Sequence, residues 1–383
     1  MRFHHKINVT KQLTSTFPKG EKLNLKIMKS GKLFTLFIFI AVFFMQKAQA
    51  QDMHFSQFYV SNLTMNPATT GVMSCQMRVS AIYRNQWASV AGQYAFNTFG
   101  LGVEGKLNAG KKDYVGLGLS VWVDRAGASQ MTSIQASFSG SYLKKIGGRR
   151  ANEHYLVAGA QIGFNQRSIR LDQLRWGTNW DGSAFNPALP DNESVFNRNL
   201  TVADLNAGIM WFSALDKKNQ SNVYAGVAFQ HLTKSNLSFI TQGTEPLFTK
   251  ITVHGGAEAR LARRLALVPS FGLWFQGPST QLNVGTGVKF DFSKKSVSRQ
   301  AFTIGMYMRG ANMAQANSDQ VAFGVDALIA LIRLKFGSSH IGFSYDINVS
   351  KLMGATRANG GFELSYVWTL CNRKGRRLGC PTF

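Results

Sequence analysis

Histidines, the side chains best suited to acid–base chemistry near neutral pH, are spread over separate parts of the chain. After residue 50 they are His54, His154, His231, His254 and His340. A serine hydrolase needs a serine, a histidine and an orienting polar group on one face, and no spacing selects such a set. The nucleophile-elbow, Walker and dinucleotide-binding patterns do not occur in a strand-to-helix context. We therefore predict no catalytic residue and no cofactor, and we expect a protein that is not an enzyme.

The composition narrows the fold class. Glycine occurs 37 times and phenylalanine 29 times, whereas charged residues make up only 16% of the chain. A mean hydropathy of −0.09 is too low for a bundle of membrane helices. A hydrophobic fraction of 45% excludes a disordered chain. These values are typical of a transmembrane β-barrel, which is apolar outside and polar inside.

Residues 28–50 have the features of a Sec-type signal peptide. A short basic stretch precedes an uncharged run over 33–45, which is too short to span a membrane as a helix. A small-x-small triplet that ends at Ala50 predicts cleavage between Ala50 and Gln51. We interpret residues 1–27 as an over-extended start rather than a domain. An exported chain with no later stop-transfer segment is expected in the periplasm, outside the cell or in the outer membrane.

The pattern after the signal peptide has the period of β-strands. In residues 113–125, Leu117 and Leu119 fall on one face, and Gly118 and Ser120 fall on the other. Fourteen segments repeat this alternation: 78–87, 94–107, 113–125, 130–142, 154–166, 203–213, 222–232, 248–261, 265–276, 280–292, 300–310, 318–334, 338–348 and 358–370. A soluble sandwich would also alternate, but its strands are usually only about 5–6 residues long. We predict an all-β fold, a transmembrane antiparallel β-barrel of about 14 strands over residues 78–370.

An even number of strands places both chain termini at the same end of the barrel, which is the periplasmic end of an exported barrel. Turns assigned to that end, with the basic tail 371–383, carry 18 Lys and Arg against 2 Asp and Glu. The predicted periplasmic docking rim consists of Lys144, Lys145, Arg149, Arg150, Lys217, Lys218, Arg373 and Lys374. Two interpretations stay open: contact with the phosphates of outer-membrane lipid, or docking of an acidic periplasmic partner. An envelope location excludes nucleic acid as a partner, despite the basic charge.

Residues 51–77 precede the first predicted strand and form an N-terminal plug or strap segment. Their aromatic side chains need burial that a free tail would not provide. A fourteen-stranded barrel is wide enough to leave space in its lumen. Our hypothesis is a plug inside the barrel, and the alternative is a strap beneath it. The plug motif consists of His54, Phe55, Ser56, Gln57, Phe58, Tyr59, Asn66 and Pro67.

The three cysteines, Cys75, Cys371 and Cys380, lie at the two ends of the predicted barrel. Because the first and last strands of a closed barrel pair, Cys75 is expected close to Cys371 or Cys380. An oxidising envelope permits a disulfide there, and three unpaired thiols are the alternative. The spacing of the cysteines is not that of a zinc site, so we predict no metal.

Short motifs at both ends of the chain resemble those of a known family. They are His54-Phe55-Ser56-Gln57-Phe58-Tyr59, Asn66-Pro67-Ala68, Tyr83-Arg84-Asn85-Gln86-Trp87, Asp204-Leu205, Ile341-Gly342-Phe343-Ser344-Tyr345-Asp346 and Cys380-Pro381-Thr382-Phe383. On these motifs, residues 51–383 resemble the PorP/SprF family, outer-membrane proteins of the type IX secretion system of Bacteroidota. The resemblance implies a location in the cell outer membrane and partners among the periplasmic and outer-membrane components of that system.

The resemblance also implies a role in protein secretion or in the attachment of particular cargo at the cell surface, in some members adhesins of gliding motility. We expect scaffolding: the barrel fixes a position in the membrane, the outer loops meet exported cargo, and the basic rim docks the secretion machine. The alternative interpretation is a fatty-acid-type or porin-like outer-membrane channel with the same number of strands.

Overall fold

The computed structural model describes most of the chain after residue 51. The described ranges are 52–110, 112–148, 152–171, 174–186, 188–190, 197–216, 221–240, 243–292, 300–315, 318–371 and 380–381. The predicted signal peptide, its cleavage site at Ala50 and Gln51, and residues 1–27 lie outside the described residues.

The described residues form fourteen strands. They are β1 (Met77–Gln86), β2 (Phe96–Asn108), β3 (Tyr114–Ala126), β4 (Met131–Gly147), β5 (Glu153–Ser168), β6 (Asn199–Asp216), β7 (Ser221–Gln230), β8 (Lys250–Ala262), β9 (Leu265–Gln276), β10 (Ser279–Asp291), β11 (Gln300–Gln315), β12 (Ser318–Phe336), β13 (Ser339–Asn348) and β14 (Asn359–Leu370). Each predicted segment overlaps one of these strands. The predicted segment falls furthest short of the observed strand at β6. This strand starts at Asn199 rather than at residue 203, because Asn199 pairs with Ser168 of β5.

The sheet closes into an antiparallel barrel, as predicted. Each strand pairs with its neighbours in chain order, and β1 also pairs with β14. The closing pair runs in continuous register from Met77 opposite Leu370 to Gln86 opposite Gly361. Closure pairs the backbone groups of both strand edges, which would have no hydrogen-bond partners in lipid.

The two faces of the wall differ in the way that the alternation predicts. On β3, Leu117 and Leu119 expose 41% and 59% of their surface, whereas Ser120 and Trp122 are buried. The exposed face carries mainly leucine, isoleucine, valine and phenylalanine, and the buried face carries small, polar and charged residues. An apolar outer face is what a lipid environment requires.

The two ends of the barrel differ in their connections. At the end termed the turn end, β2 is joined to β3 by residues 109–113, and β12 to β13 by residues 337–338. At the opposite end, termed the loop end, the longest connections span residues 169–198 and 231–249. The chain enters β1 and leaves β14 at the turn end. Short turns face the periplasm in outer-membrane barrels, so the turn end is assigned to that side.

Helical structure in the described part of the chain is short. The helices are α1 (Asn62–Met65), α2 (Ala88–Ala91) and α3 (Met353–Thr356). None of these helices is long and apolar enough to cross a membrane. Helix α1 belongs to the segment before β1, which supplies much of the buried core, including Phe58 and Leu63.

Candidate functional site: the plugged lumen

Residues 52–76, termed the plug, lie inside the barrel rather than beneath it. At the loop end, the backbone amide of Asp52 donates a 3.0 Å hydrogen bond to the side chain of Gln276, the last residue of β9. At the turn end, Cys75 is bonded to Cys371, next to the start of β1 and the end of β14. The plug therefore crosses the lumen from one end of the barrel to the other.

Ser56 of the plug motif joins a buried ionic network on the wall. Its backbone amide donates to Glu363 at 2.5 Å, and its hydroxyl donates to Asp346 at 2.8 Å. Arg84 donates to the same two carboxylates, at 2.5 Å to Glu363 and at 3.0 Å to Asp346. Arg309 donates to Asp346 at 2.7 Å. We term these five residues the ionic anchor; its charged side chains expose at most 4% of their surface.

Close pairing explains why the ionic anchor tolerates burial. Both guanidinium groups contact carboxylates of the anchor, Arg309 also pairs with the partly exposed Asp326 at 2.8 Å, and the backbone amide of Gln57 donates to the second oxygen of Glu363 at 2.8 Å. A buried ion costs several kcal/mol unless it is paired and hydrogen-bonded. The ionised groups come from β1, β11, β13 and β14. The anchor therefore attaches the plug across the junction that closes the barrel.

Asn66 and Pro67 lie in a groove that has glycine at its floor. The side-chain amide of Asn66 donates to the carbonyl of Ile209 at 3.2 Å and lies 3.0 Å from Nε2 of His254. A Cβ added to Gly159 would meet the carbonyl carbon of Pro67 at 2.5 Å. Only glycine permits two backbones to approach this closely. Asn66 caps a 3-10 turn in this groove, and Pro67 is the first residue of that turn.

Glu104 on β2 holds the last part of the plug. Its carboxylate accepts from the backbone amide of Gly71 at 2.6 Å and from the side chain of Asn62 at 3.1 Å. Arg78 on β1 pairs with it at 2.7 Å. Gly71 has a φ of +71°, in the left-handed region that favours glycine. A wall carboxylate and a glycine conformation thus fix the path of the plug towards the turn end.

His231, which follows β7, bridges two carboxylates at the loop end. Its Nε2 lies 2.6 Å from Asp52 of the plug, and its Nδ1 lies 2.9 Å from Asp204 on β6. Lys250 adds a second cation, 3.7 Å from Asp52. Burial disfavours the charged imidazole, but the two carboxylates outweigh it and raise the pKa of His231 to about 9. His231 is therefore charged at neutral pH and attaches the start of the plug to the wall.

His54 lies in the same part of the lumen, but its imidazole is neutral rather than positively charged. Burial and the positive charges of Arg309, Arg84 and Lys250 hold the pKa of His54 well below its usual value. A cavity of about 40 Å³ adjoins His54 and Lys250. Within the described part of the chain, no group of three His, Cys, Asp or Glu side chains is placed to hold a metal ion.

Aromatic side chains of the plug pack against one wall of the barrel. Phe58 makes edge contacts with Trp274 and Tyr307, at centroid distances of 5.6 and 6.3 Å. The guanidinium group of Arg333 lies 4.3 Å from the centroid of the Tyr59 ring. Such contacts add about 0.5–1.5 kcal/mol each beyond the area that they bury. Phe58 and Tyr59 thus attach the plug to the wall through aromatic contacts, as Ser56 attaches it through the ionic anchor.

The cysteines occupy two different environments at the turn end. Cys75 and Cys371 form a disulfide, with their Cα atoms 4.4 Å apart. Cys380 is a buried free thiol that packs in a cluster with Tyr155. Burial raises the pKa of the Cys380 thiol to about 11, although Lys106 lies near it. Cys380 of the tail therefore lies in the turn end of the lumen.

Of the predicted docking rim, Lys144 and Lys145 are among the described residues, and their environments differ. Both lie on β4 rather than in a turn, because β4 continues to Gly147 in its pairing with β5. Lys144 is exposed, whereas Lys145 pairs with the buried carboxylate of Glu153 at 2.9 Å. Lys145 is therefore engaged within the barrel. The other six predicted rim residues lie outside the described residues: Arg149, Arg150, Lys217, Lys218, Arg373 and Lys374.

The sequence analysis did not identify the wall residues that hold the plug. Glu104 and Glu363 are the clearest examples, since each is a buried carboxylate that accepts hydrogen bonds from the plug. The available signal was their position on the inward side of an alternating strand, where an isolated charge needs a partner. The partner itself, a segment outside the strand pattern, leaves no periodic signal.

The plug and the strands that hold it lie within a region shared with a known family. The family model described as "Type IX secretion system membrane protein PorP/SprF" matches residues 47–368. The chain belongs to the PorP/SprF family. Family membership and an outer-membrane-type barrel fit a type IX secretion component in the outer membrane, with partners among the other secretion components. No curated protein matches this PorP/SprF chain.

Solved structures with a similar arrangement of strands include other bacterial barrels. The CymD monoaromatic hydrocarbon channel is 11% identical, with a TM-score of 0.42 over 82% of this chain and 93% of that one. The toluene transporter TbuX of Ralstonia pickettii is also 11% identical, with a TM-score of 0.41 over 81% and 93%. CdiB from Escherichia coli is 8% identical, with a TM-score of 0.40 over 76% of this chain. The match spans only 63% of the length of that CdiB. At this level of similarity, these structures add nothing about function.

Proposed function

We propose that this PorP/SprF protein is a plugged scaffold in the outer membrane. It supports the secretion or surface attachment of specific cargo, such as gliding adhesins, and it is not an enzyme. The observation that carries the proposal is the attachment of the plug at the ionic anchor, in the glycine groove and at the loop end. A lumen occupied by a firmly bound segment suits the positioning of partners better than the conduction of solute. A Sec-type signal peptide cleaved after Ala50 delivers the chain to the envelope.

The loop end is the surface that the proposal assigns to exported cargo. Trp180, in the longest connection, exposes 57% of its surface. The same loop has local order: Trp180 bridges to Phe185, and Arg175 lies 4.9 Å from the centroid of the Phe185 ring. Exposed aromatic side chains on an ordered loop are frequent anchors in protein interfaces. The turn end, with Lys144, is assigned to an acidic periplasmic component of the machine, and contact with lipid phosphates is the competing use.

Affinity purification from solubilised outer membranes tests the proposal. The wild-type protein is expected to retain an exported cargo protein and at least one periplasmic secretion component. A variant in which residues 176–185 are replaced by a Gly/Ser linker should lose the cargo and keep the periplasmic partner. A second variant with Lys144, Arg149 and Arg150 each changed to Glu should show the reverse. Retention of both partners by both variants would contradict the assignment of the two ends.

The competing channel function and a hydrolase function have their own readouts. A fatty-acid-type or porin-like channel predicts that the purified wild-type protein conducts ions or takes up a hydrophobic solute. The scaffold proposal expects neither, because the plug is in place. A barrel hydrolase predicts labelling by a covalent serine probe, and the proposal expects no labelling.

A further inference from the structure

Two arginines meet on the outer surface of the barrel at the loop end. Arg125 lies close to the end of β3, and Arg170 follows the last residue of β5 by two positions. Both side chains are exposed. Their guanidinium groups donate to the same atom, the side-chain oxygen of Gln130, and the bond from Arg170 is 3.1 Å long. We term Arg125 and Arg170 the arginine pair.

Backbone hydrogen bonds hold the arginine pair in place. The amide of Arg170 donates to the carbonyl of Ser129 at 2.9 Å, which continues the pairing of the two chain segments beyond the end of β5. The amide of Gln130 donates to the carbonyl of Gly127 at 3.1 Å and closes the turn between β3 and β4. Arg125 is itself a residue of β3. The arginine pair is therefore built on fixed backbone at the rim of the wall.

The positive charge of the arginine pair is not neutralised within the described ranges of the chain. Neither guanidinium group forms an ion pair there, and the contact that both make is with a neutral amide. The adjacent carboxylate, Asp124, faces the other side of β3, where it accepts a 2.6 Å hydrogen bond from the buried Thr98. Two cations that share one acceptor repel each other, and an anion would relieve that repulsion. Each guanidinium group has further N–H donors with which to bind one.

The arginine pair faces the membrane rather than the lumen. Arg125 continues the outward series of β3, in which Val121 is exposed and the alternate residue Trp122 is buried. Arg170 shares this side because it reaches the same oxygen of Gln130. On β5, Ile162 and Phe164 continue the exposed apolar surface towards the middle of the wall. The arginine pair thus lies at the outer border of the apolar band, at the level of lipid headgroups.

This combination of groups indicates a lipid that carries phosphate. Guanidinium groups bind phosphate oxygens through paired, charge-assisted hydrogen bonds. The apolar side chains next to the arginine pair suit acyl chains, so one lipid molecule can satisfy both parts of the surface. An acidic polypeptide above the mouth of the barrel fits less well, because the arginine pair faces sideways into the bilayer.

We propose that the arginine pair binds a phosphate group of an outer-leaflet lipid. Arg125 and Arg170 contact the phosphate oxygens, and the exposed apolar residues of β3 and β5 contact the acyl chains. Gln130 holds the two guanidinium groups together. The bound lipid fixes the height of the barrel in the outer leaflet. The inference is independent of the scaffold role and requires only that the loop end faces the cell exterior.

Lipid binding to the purified, delipidated full-length protein in detergent tests the arginine pair. The probe is diphosphorylated lipid A, its counterpart is the same glycolipid without phosphates, and native mass spectrometry measures the bound fraction. The counterpart should bind at least about tenfold more weakly. Arg125→Gln and Arg170→Gln should each weaken binding of the probe about fivefold, the usual contribution of one cation near a lipid phosphate. Lys351→Gln removes an exposed loop-end cation between β13 and β14 and should change the affinity less than about twofold.

Several outcomes would overturn the proposal. Equal binding of the phosphate-free glycolipid would show contact through acyl chains alone, and equal weakening by all three variants would show a diffuse attraction. Displacement of the probe by inorganic phosphate at the same concentration would show a site for the free ion. Displacement by a glutamate-rich peptide would assign the arginine pair to an acidic polypeptide. Electrophoretic mobility before and after heating shows which variants are folded, and if one arginine variant fails to fold, the other decides.

Discussion

Gly159 on β5 and Pro67 in the plug are in backbone contact, and the absence of a side chain on Gly159 makes that contact possible. A Cβ at this position would meet the backbone of Pro67 and Ala68 at 2.5 Å. Neither neighbour is the flexible end of a side chain, so the plug itself must move if this space is filled. The wall is therefore shaped to receive one particular turn of the plug.

We expect Gly159→Ala to displace the plug while the strands stay paired. Overpacking of this kind costs about 1–3 kcal/mol. Limited proteolysis should cut the plug faster in the variant, and circular dichroism should remain that of a β-barrel. Gly140→Ala is the matched control because a Cβ on Gly140 meets nothing within 4 Å. Equal protease sensitivity of the two variants would show that the groove does not hold the plug.

Arg84→Gln should destabilise the folded barrel strongly. It leaves Glu363 and Asp346 buried with one guanidinium group fewer, and breaking a buried ion pair in this way costs about 3–5 kcal/mol. The melting temperature of the protein in detergent measures the loss. Lys351→Gln removes an exposed loop-end cation and should change stability by less than about 0.5 kcal/mol. The double variant Arg84→Gln with Glu363→Gln should recover part of the loss, and strict additivity would argue against direct coupling.

Stability should fall as pH rises through about 9. The pKa of His231 is raised to about 9 in the folded protein by Asp52 and Asp204, against the opposing effect of burial. A raised folded-state pKa adds stability that is complete below the usual histidine pKa of about 6.5 and disappears above the folded value. Melting temperatures between about pH 7 and pH 10 should therefore decline, and His231→Gln should flatten that decline. An identical pH profile in the variant would assign the effect to other groups.

The three cysteines should differ in their reactivity. Non-reducing peptide mapping should recover Cys75 linked to Cys371, and Cys380 should resist maleimide until the protein is denatured. The resistance follows from burial, which also raises the pKa of the Cys380 thiol to about 11 and so suppresses the reactive thiolate. Rapid labelling of Cys380 in the folded protein would show that this thiol is not buried in the lumen. Recovery of free Cys75 from the oxidised protein would exclude the disulfide.

Deletion of residues 52–70 should open the barrel to small solutes. It removes Ser56 and Asn66, and with them the contacts at the ionic anchor and in the glycine groove. Planar-bilayer recordings should show a low conductance for the wild type and a clear increase for the deletion. Gly159→Ala is expected to give an intermediate value. A conductance unchanged by the deletion would show that the plug does not occlude the lumen.

The sequence alone was sufficient for the wall because alternation is a local signal. Leu117 and Leu119 against Gly118 and Ser120 reveal the two faces of β3 without knowledge of any other strand. The ends of β4 and β6 were harder, since Lys144 and Asn199 extend their strands through pairing with β5. Pairing partners are a property of the neighbouring strand and not of the segment itself.

The site was only half predictable for the same reason. Aromatic and amide residues marked the plug as a segment that needs burial, but its contacts depend on distant positions. Ser56 gives no indication by itself that Glu363 and Arg84 surround it. Lys145 has the sequence appearance of a surface cation, yet its partner Glu153 lies across a turn within the barrel. Charge counts along a sequence do not distinguish a solvated lysine from a paired one.

Ser56 and Glu363 are 307 positions apart in the sequence, and this separation affects the order of folding. Ser56 is synthesised among the first residues of the barrel unit, and Glu363 arrives with the last strand. The ring of strands and the attachment of its contents are therefore completed in one late step, when β14 reaches β1. Contacts so distant in sequence form slowly. A chain shortened before β14 would therefore lack both the final wall pairing and the carboxylate that binds Ser56.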